Sequence, residues 1–131
     1  MINQPPITMK ELLLIGLGGG AGSVLRYLVS RATARAGTLA FPVATLAVNV
    51  LGCFLTGVLV GALLRAGWMG APQKALLVTG FCGGFTTFSA FSLESVQLYT
   101  AGSYAMLAVY VAASVVAGFA SVLAGMALTS P

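Results

Sequence analysis

Charged residues are scarce in this chain of 131 residues, of which 6% are charged and 59% are hydrophobic. Ordinary soluble domains carry about 25% charged residues, so this sequence has too few to cover the surface of a globule in water. The scarcity excludes a water-soluble domain, a nucleic-acid-binding protein and a disordered tail. The composition instead predicts a membrane protein.

Histidine is absent, and cysteine occurs only at Cys53 and Cys82. Without histidine the chain lacks the usual general base at neutral pH and the commonest metal ligand. Both cysteines lie in apolar runs, where a buried free thiol is expected, and they support neither a disulfide framework nor a metal site. The sequence offers no nucleophile–base pair and no metal cluster, so we expect that the protein is not an enzyme.

Four apolar stretches each have the length, about 20 residues, that a helix needs to cross about 30 Å of hydrocarbon. The predicted spans are 10–35, 42–65, 73–99 and 103–128, in a single four-helix transmembrane domain that covers 1–131. Thr8 and Glu11 have the spacing of a capping box at the start of the first span, and Pro42 suits the first turn of the second. The connections are short, so neighbouring helices should pack antiparallel.

The basic residues are scattered, and the net charge is +4. With four spans, both termini lie on the same side of the membrane, and that side receives Lys10, Arg65 and Lys74. The opposite side receives Arg31 and Arg35, with Arg26 about a turn inside it. Since orientation follows an excess of Lys and Arg on one side, this near tie predicts no strong preference. Either another feature decides the orientation, or copies insert both ways up and pair head to tail.

Small residues recur at helical spacing in three of the four spans. The pairs are Gly16/Gly20, Gly18/Gly22 and Gly57/Gly61, with Ala113, Ala117, Ser121 and Gly125 on the last span. In lipid such faces let helix backbones approach closely. We therefore expect a tight bundle with an extensive oligomer interface, although packing within one chain would use the same residues. Four helices cannot easily enclose an aqueous path alone, so transport would need at least two copies.

A polar amide, Asn49, lies near the middle of the second span, with Thr45 one turn before it and Thr56 two turns after it. An amide inside the membrane needs hydrogen-bond partners and faces protein or a water-filled cavity. Two interpretations remain open: Asn49 joins helices, or it lines a pore as a hydrogen-bond donor.

The third span contains the sequence GFCGGFTTFSAFSLE at 80–94. A Gly-Gly pair is unfavourable in a helix interior, and the two threonines that follow can divert hydrogen bonds to the backbone. We predict a break near Gly83 to Thr87, which at membrane depth survives only when buried in protein or lining a cavity. Carbonyl groups left unpaired there could bind a small hard cation, because such ions take oxygen ligands.

Aromatic and hydroxyl side chains follow the predicted break. Phe88 and Phe91 share one helical face and Ser89 lies on an adjacent one, while Tyr110 and Ser114 share a face of the last span. Core packing would explain the phenylalanines, but the positive edge of an aromatic ring also attracts anions. The whole set favours a small anion that exchanges its water shell for neutral donors.

Glu94 fits this pattern least well, because a carboxylate in a span is costly and repels anions. Three alternatives remain open for it. Glu94 lies near the end of the span, is protonated, or accepts hydrogen bonds from hydroxyl groups and so orients them.

Residues 80–94 resemble the signature segment of the small bacterial fluoride channels, the Fluc or CrcB family, along nearly their whole length. Two further stretches are similar to that family: 19–22 with Arg26 and Tyr27, and 45–49 with Gly52. The resemblance implies an all-α membrane protein with four transmembrane helices per subunit and the third helix broken mid-membrane. It also implies an antiparallel, dual-topology homodimer in the bacterial inner membrane, with two pores that pass fluoride passively out of the cell.

The resemblance further implies roles for individual residues. The fluoride pore would be lined by Asn49, Phe88, Phe91, Thr45, Ser89, Tyr110, Ser114 and Glu94, with Arg26 in a vestibular or structural position. The backbone carbonyls of Gly83 and Thr86 would hold a structural Na⁺ between the two subunits. Ala90 and Gly118 depart from the family, which commonly has hydroxyl residues there. These departures leave Asn49 and the two phenylalanines unchanged.

Two other functions are compatible with four apolar spans. A small proton-coupled multidrug exporter of the dual-topology type would need a carboxylate deep in the first helix, but the acid there, Glu11, lies at its very start. A non-transporting assembly subunit would explain the small-residue faces, but it leaves the Thr-Thr-Phe-Ser run without a purpose.

Overall fold

A computed structural model of the chain describes residues 5–36, 40–67 and 70–129. The helical elements in order are α1 (Met9–Arg35), α2 (Val43–Ala66), α3 (Ala71–Lys74), a π-helical segment (Ala75–Cys82), α4 (Gly83–Phe85), α5 (Phe88–Thr100) and α6 (Tyr104–Thr129). Within these described ranges, four runs are long and apolar enough to cross a membrane: Met9–Arg35, Val43–Arg65, Ala71–Thr100 and Tyr104–Thr129. For the described residues, the predicted all-helical architecture with four helical runs suited to membrane spans is confirmed.

The ends of the first two long helices follow the sequence signals. The Thr8 hydroxyl accepts from the Glu11 amide at 3.2 Å, and a Glu11 carboxylate oxygen accepts from the Thr8 amide at 3.1 Å. This reciprocal pair is the predicted capping box. Pro42 is the N-cap of α2, and Gly67 ends that helix with a φ of 57°, a left-handed conformation that glycine adopts without strain.

Glycines bring α1 into backbone contact with the third run. Gly18 and Gly22 are buried. A Cβ on Gly18 would collide with the Leu76 carbonyl, and one on Gly22 with the Phe81 carbonyl. On the opposite side of this contact, a Cβ on Gly84 would collide with the Gly19 carbonyl. The Gly18/Gly22 pair therefore serves packing within the chain.

Glycines also join α2 to α6. A Cβ on Gly57 would meet the Val122 carbonyl, and one on Gly125 would meet the Phe54 carbonyl. The two helices therefore touch backbone to backbone, as small-residue faces allow. Gly16 and Gly20 differ, because a Cβ at either would meet nothing within 4 Å in the described chain. That pair is left open on the surface of α1.

The third run has an irregular backbone. It passes from α-helix into the π-helical segment, a rare arrangement in which hydrogen bonds span five residues. Gly83 to Phe85 are helical, whereas Thr86 (φ −76°, ψ 157°) and Thr87 (φ −151°, ψ 120°) are extended before α5 begins at Phe88. The sequence interpretation placed Gly83 in the break and did not anticipate the π-helical segment. Gly83 instead remains helical, with φ −63° and ψ −37°.

Candidate functional site

Asn49 on α2 pairs with the extended backbone of Thr87. Its Nδ2 donates to the Thr87 carbonyl at 3.0 Å, and its Oδ1 accepts from the Thr87 amide at 2.7 Å. An extended peptide inside an apolar bundle cannot satisfy these groups through a helix, and leaving them unpaired is costly. The side chain of Asn49 therefore replaces both missing backbone partners.

Threonine hydroxyls complete the hydrogen bonding of the two extended residues. The Thr86 hydroxyl donates to the Cys82 carbonyl at 2.9 Å. The Thr87 hydroxyl accepts from the Ala90 amide at 3.2 Å and so caps α5. It also lies 3.2 Å from the Ser89 hydroxyl. Each threonine thus supports the backbone on one side of the interruption.

Glu94 on α5 accepts a hydrogen bond on each carboxylate oxygen. The Thr45 hydroxyl of α2 donates to Oε1 at 2.7 Å, and the Tyr110 hydroxyl of α6 donates to Oε2 at 2.6 Å. These distances are typical of hydroxyl groups bound to a carboxylate. These two contacts fit the alternative in which Glu94 accepts hydrogen bonds from hydroxyl groups, and they join three helices.

Aromatic rings form a row beside this carboxylate. The centroid distances are 5.7 Å from Phe88 to Phe91, 5.1 Å from Phe91 to Tyr110 and 5.6 Å from Tyr110 to Phe41. Phe88 is 79% exposed, whereas Tyr110 is 0% exposed. The row therefore runs from the surface of the single chain, through its centre, to the segment that precedes α2.

A first cavity of about 360 Å³ lies between α2, α5 and α6. Its lining comprises Asn49, Cys53, Thr56, Thr86, Thr87, Phe88, Phe91, Ser114, Val115, Gly118 and Val122. Four of the predicted pore residues, Asn49, Phe88, Phe91 and Ser114, are therefore brought together. Among the residues described around this cavity, none carries a charge. The sequence reasoning did not identify Cys53 as a lining residue of this cavity, although its position four residues after Asn49 puts it on the same helical face.

A second cavity of about 280 Å³ is lined by Ala40, Phe41, Pro42, Glu94, Gln97 and Leu98. Glu94 is the predicted pore residue that lines this second cavity. Thr45, Ser89 and Tyr110 line neither of the two cavities. The sequence reasoning missed Phe41 and Gln97. The signals were an aromatic residue directly before Pro42 and an amide three residues after Glu94, where helical spacing places it on the same face.

Arg26 lies on α1 and is partly buried. It is not among the residues that line either cavity.

Of the predicted cation ligands, Gly83 is the first residue of α4 and Thr86 is the residue directly after it. The Thr87 amide, which would close a helical turn on the Gly83 carbonyl, binds Asn49 instead. In the described ranges, no group of three or more His, Cys, Asp or Glu residues could hold a metal ion. A cation at this place would therefore have to use backbone carbonyl oxygens.

Comparison with known proteins gives a consistent result. The family model described as CrcB-like protein, Camphor Resistance (CrcB), matches residues 13–126. A protein of Azobacteroides pseudotrichonymphae named fluoride-specific ion channel FluC is 50% identical over 121 residues, covering 92% of this chain and 97% of its own length. Proteins with the same name from Phocaeicola vulgatus and Rhizobium etli are 49% and 47% identical, each covering at least 90% of this chain and 96% of its own length. This chain belongs to the CrcB-like protein family.

Proposed function

We propose that this protein is a passive, fluoride-selective ion channel of the bacterial inner membrane that lets the cell lose accumulated fluoride. The support is membership of the CrcB-like family and the name fluoride-specific ion channel, which the relatives at 47% to 50% identity carry. A passive channel of this kind is not an enzyme, which agrees with the lack of catalytic groups in the sequence.

The observation that carries the proposal is the uncharged first cavity with the amide of Asn49 on its wall. The Thr87 backbone already forms hydrogen bonds with the Oδ1 and with one Nδ2 hydrogen of Asn49. The second Nδ2 hydrogen is the donor that we assign to the anion. Because the Thr87 amide holds Oδ1, the side chain cannot turn its acceptor toward the path, and the site favours an anion over a cation.

The rings of Phe88 and Phe91 supply the second kind of contact in this cavity. An aromatic edge is positive and attracts an anion without a full charge. Such weak, repeated contacts suit conduction, because the ion must bind well enough to enter and loosely enough to leave. Ser114, on the α6 wall of the same cavity, adds a hydroxyl donor.

The path continues past Thr45, Ser89, Tyr110 and Glu94. Thr45 and Tyr110 both donate to the Glu94 carboxylate, so its negative charge is shared with two hydroxyl groups. In this arrangement Glu94 orients the hydroxyl groups and does not present a bare carboxylate to the ion. Arg26, away from both cavities, has a structural or vestibular role.

The functional unit that we propose is an antiparallel, dual-topology homodimer of a single four-helix domain, with two pores. Three features support it: the near tie in basic residues, the 79% exposure of Phe88 in one chain, and the open glycine pair at Gly16 and Gly20. A second copy would cover Phe88 and close the first cavity. The extended pair Thr86 and Thr87 then lies at mid-membrane as the break in the third helix.

A structural Na⁺ between the two copies is part of the proposal. The Gly83 carbonyl, whose helical partner is diverted to Asn49, and the carbonyl of the extended Thr86 are oxygen donors of the type that hard cations prefer. The ion would hold the two interrupted helices together at the interface.

The alternative of a proton-coupled multidrug exporter lacks its essential group. Glu11 caps the first turn of α1 through Thr8. It therefore lies at the helix end and not at the depth where an exporter exchanges protons for its substrate.

The test is reconstitution of the full chain into liposomes loaded with potassium fluoride or potassium chloride, with efflux followed by ion-selective electrodes. We expect fast fluoride release and negligible chloride release. Equal release of both ions, or no release of either, would refute the proposal. Liposomes prepared without protein control for leakage.

A further inference from the structure

Phe41 is the last ring of the aromatic row, and it joins that row to the second cavity. Phe91 lines the first cavity, and Phe41 lines the second. Tyr110 lies between them, with no exposed surface, at 5.1 Å from the Phe91 ring and 5.6 Å from the Phe41 ring. Tyr110 therefore separates two rings that each face a different cavity.

The two neighbouring rings hold Tyr110 in different ways. Phe91 is tilted by 43° against it, whereas Phe41 is nearly perpendicular, at 88°. The perpendicular contact is the edge-to-face geometry that aromatic pairs prefer. Since the Tyr110 hydroxyl is rigidly attached to its ring, fixing the ring also fixes the 2.6 Å hydrogen bond to Glu94 Oε2.

The position of Phe41 is determined by the start of α2. A residue before proline is restricted to extended conformations, and the Phe41 carbonyl accepts from the Val43 amide at 2.8 Å. Thr45, which binds the other oxygen of Glu94, lies in the first turn of the same helix. The first turn of α2 thus supplies a direct partner of Glu94, and the residue two positions before the helix supplies the ring that contacts its second partner.

We propose that Phe41 is a positioning residue of the ion path, acting through Tyr110. It keeps the Tyr110 hydroxyl on Glu94 and so keeps the passage between the two cavities in its conducting form. Without the Phe41 ring, the Tyr110 ring has room to move toward the second cavity, and Glu94 Oε2 loses its donor. The carboxylate then carries its full charge beside the path and repels fluoride. This inference rests on the proposed channel function.

The test is a double-mutant cycle on the full chain in liposomes, with fluoride efflux as the readout. Phe41→Leu removes the ring edge, Phe41→Trp retains one, and Tyr110→Phe removes the hydroxyl that Phe41 is proposed to hold. We expect Phe41→Leu to slow efflux roughly fivefold or more, and to have no further effect in the Tyr110→Phe background, because coupled residues are not additive. Phe41→Trp should restore most of the rate.

A matched control is Phe81→Leu, which removes a ring that stacks on Phe85 at 5.9 Å, outside the row. It should leave efflux near the wild-type rate. A wild-type rate in Phe41→Leu, or an equal additional loss in the Tyr110→Phe background, would overturn the inference while leaving the channel function intact. If Phe41→Leu does not fold, Phe41→Met takes its place in the same cycle. Absence of fluoride efflux from the wild-type protein would instead overturn the channel function.

Discussion

Asn49 and Thr87 are 38 residues apart in the chain and share two hydrogen bonds, of 3.0 and 2.7 Å. Through this pair, α2 supports the backbone at the point where the third run is extended. Of the two open interpretations of Asn49, the structure contains the one in which it joins helices. The remaining amide hydrogen is still available for an ion, so the same side chain can support the backbone and line the proposed pore.

Asn49→Asp tests the amide of Asn49 as a hydrogen-bond donor. The carboxylate can still accept from the Thr87 amide, but it cannot donate to the Thr87 carbonyl or to an anion. We expect fluoride efflux to fall more than about tenfold. A carboxylate that faces fluoride without a hydrogen-bond donor between them costs well over about 1 kcal/mol. The measurement is efflux from liposomes, with size-exclusion chromatography to verify assembly.

Thr56→Val is the control for Asn49→Asp, because Thr56 lines the same cavity and donates to the Gly52 carbonyl of its own helix at 2.8 Å. It should retain most of the efflux. A wild-type rate in Asn49→Asp would exclude the amide as the anion donor.

Phe88→Ile tests the ring edge while leaving a branched apolar side chain at that position. The substitution keeps an apolar side chain but removes the quadrupole that attracts an anion. We expect fluoride efflux to fall sharply while the proposed dimer still assembles, as measured by an ion-selective electrode and by size-exclusion chromatography. Phe119→Ile is a matched control, because Phe119 is 73% exposed on α6 and lines neither cavity. Equal rates for the two variants would contradict the assignment of Phe88.

Local signals in the sequence predict the helices and their ends well. Thr8 and Glu11 predict the start of α1 because a capping box involves only residues three apart. Hydropathy and length alone identify the four apolar runs. The glycine spacing predicts close helix contacts, but it does not predict which glycine pairs make them within one chain. The structure uses Gly18/Gly22 and Gly57/Gly61 for contacts within the chain and leaves Gly16/Gly20 open.

Features that depend on distant contacts could not be predicted in the same way. Gly84 has a low helix propensity, but it stays helical because its missing side chain lets the Gly19 carbonyl approach. The π-helical segment packs against α1 at Gly18, a contact between distant parts of the chain that local composition does not reveal. The contact of Phe41 with Tyr110 joins residues 69 positions apart in the numbering, and no spacing rule reaches that far.

Gly125→Ala and Gly20→Ala should have opposite effects on the stability of the chain. A Cβ at Gly125 would collide with the Phe54 carbonyl, a backbone atom that cannot easily move. We expect a loss of about 1–3 kcal/mol from overpacking. Gly20 meets nothing within 4 Å in the described chain, so alanine there should stabilise the helix by up to about 1 kcal/mol.

The measurement for this pair is thermal unfolding in detergent, followed by circular dichroism. Gly20→Ala also reports on the dimer: if a second copy contacts the open glycine pair, the variant should dissociate at higher protein concentration than the wild type. Equal unfolding temperatures for Gly125→Ala and the wild type would refute the close approach of α2 and α6.

Added positive charge should convert the proposed dual topology into a single orientation. Gln73 and Ala71 are exposed in the short α3, next to Lys74. Gln73→Lys with Ala71→Arg would give that side a clear excess of basic residues. Reporters fused to the C-terminus should then detect one orientation where the wild type gives two, and fluoride efflux should fall because antiparallel pairs can no longer form. Undiminished efflux from a singly oriented protein would refute the antiparallel dimer.

Glu94→Ala should expose the dependence of Tyr110 on its acceptor. Tyr110 has no exposed surface, so removal of Glu94 leaves its hydroxyl buried without the 2.6 Å hydrogen bond. An unsatisfied buried hydroxyl costs about 1–3 kcal/mol. Tyr110→Phe removes the stranded group, so the Glu94→Ala/Tyr110→Phe double variant should be more stable than Glu94→Ala alone. Thermal unfolding of the four proteins in detergent measures the coupling, with Thr45→Val as a parallel probe of the other carboxylate oxygen. If the losses of Glu94→Ala and Tyr110→Phe simply add, the two side chains are not partners in the folded protein, and Glu94 cannot orient the hydroxyl groups of the path.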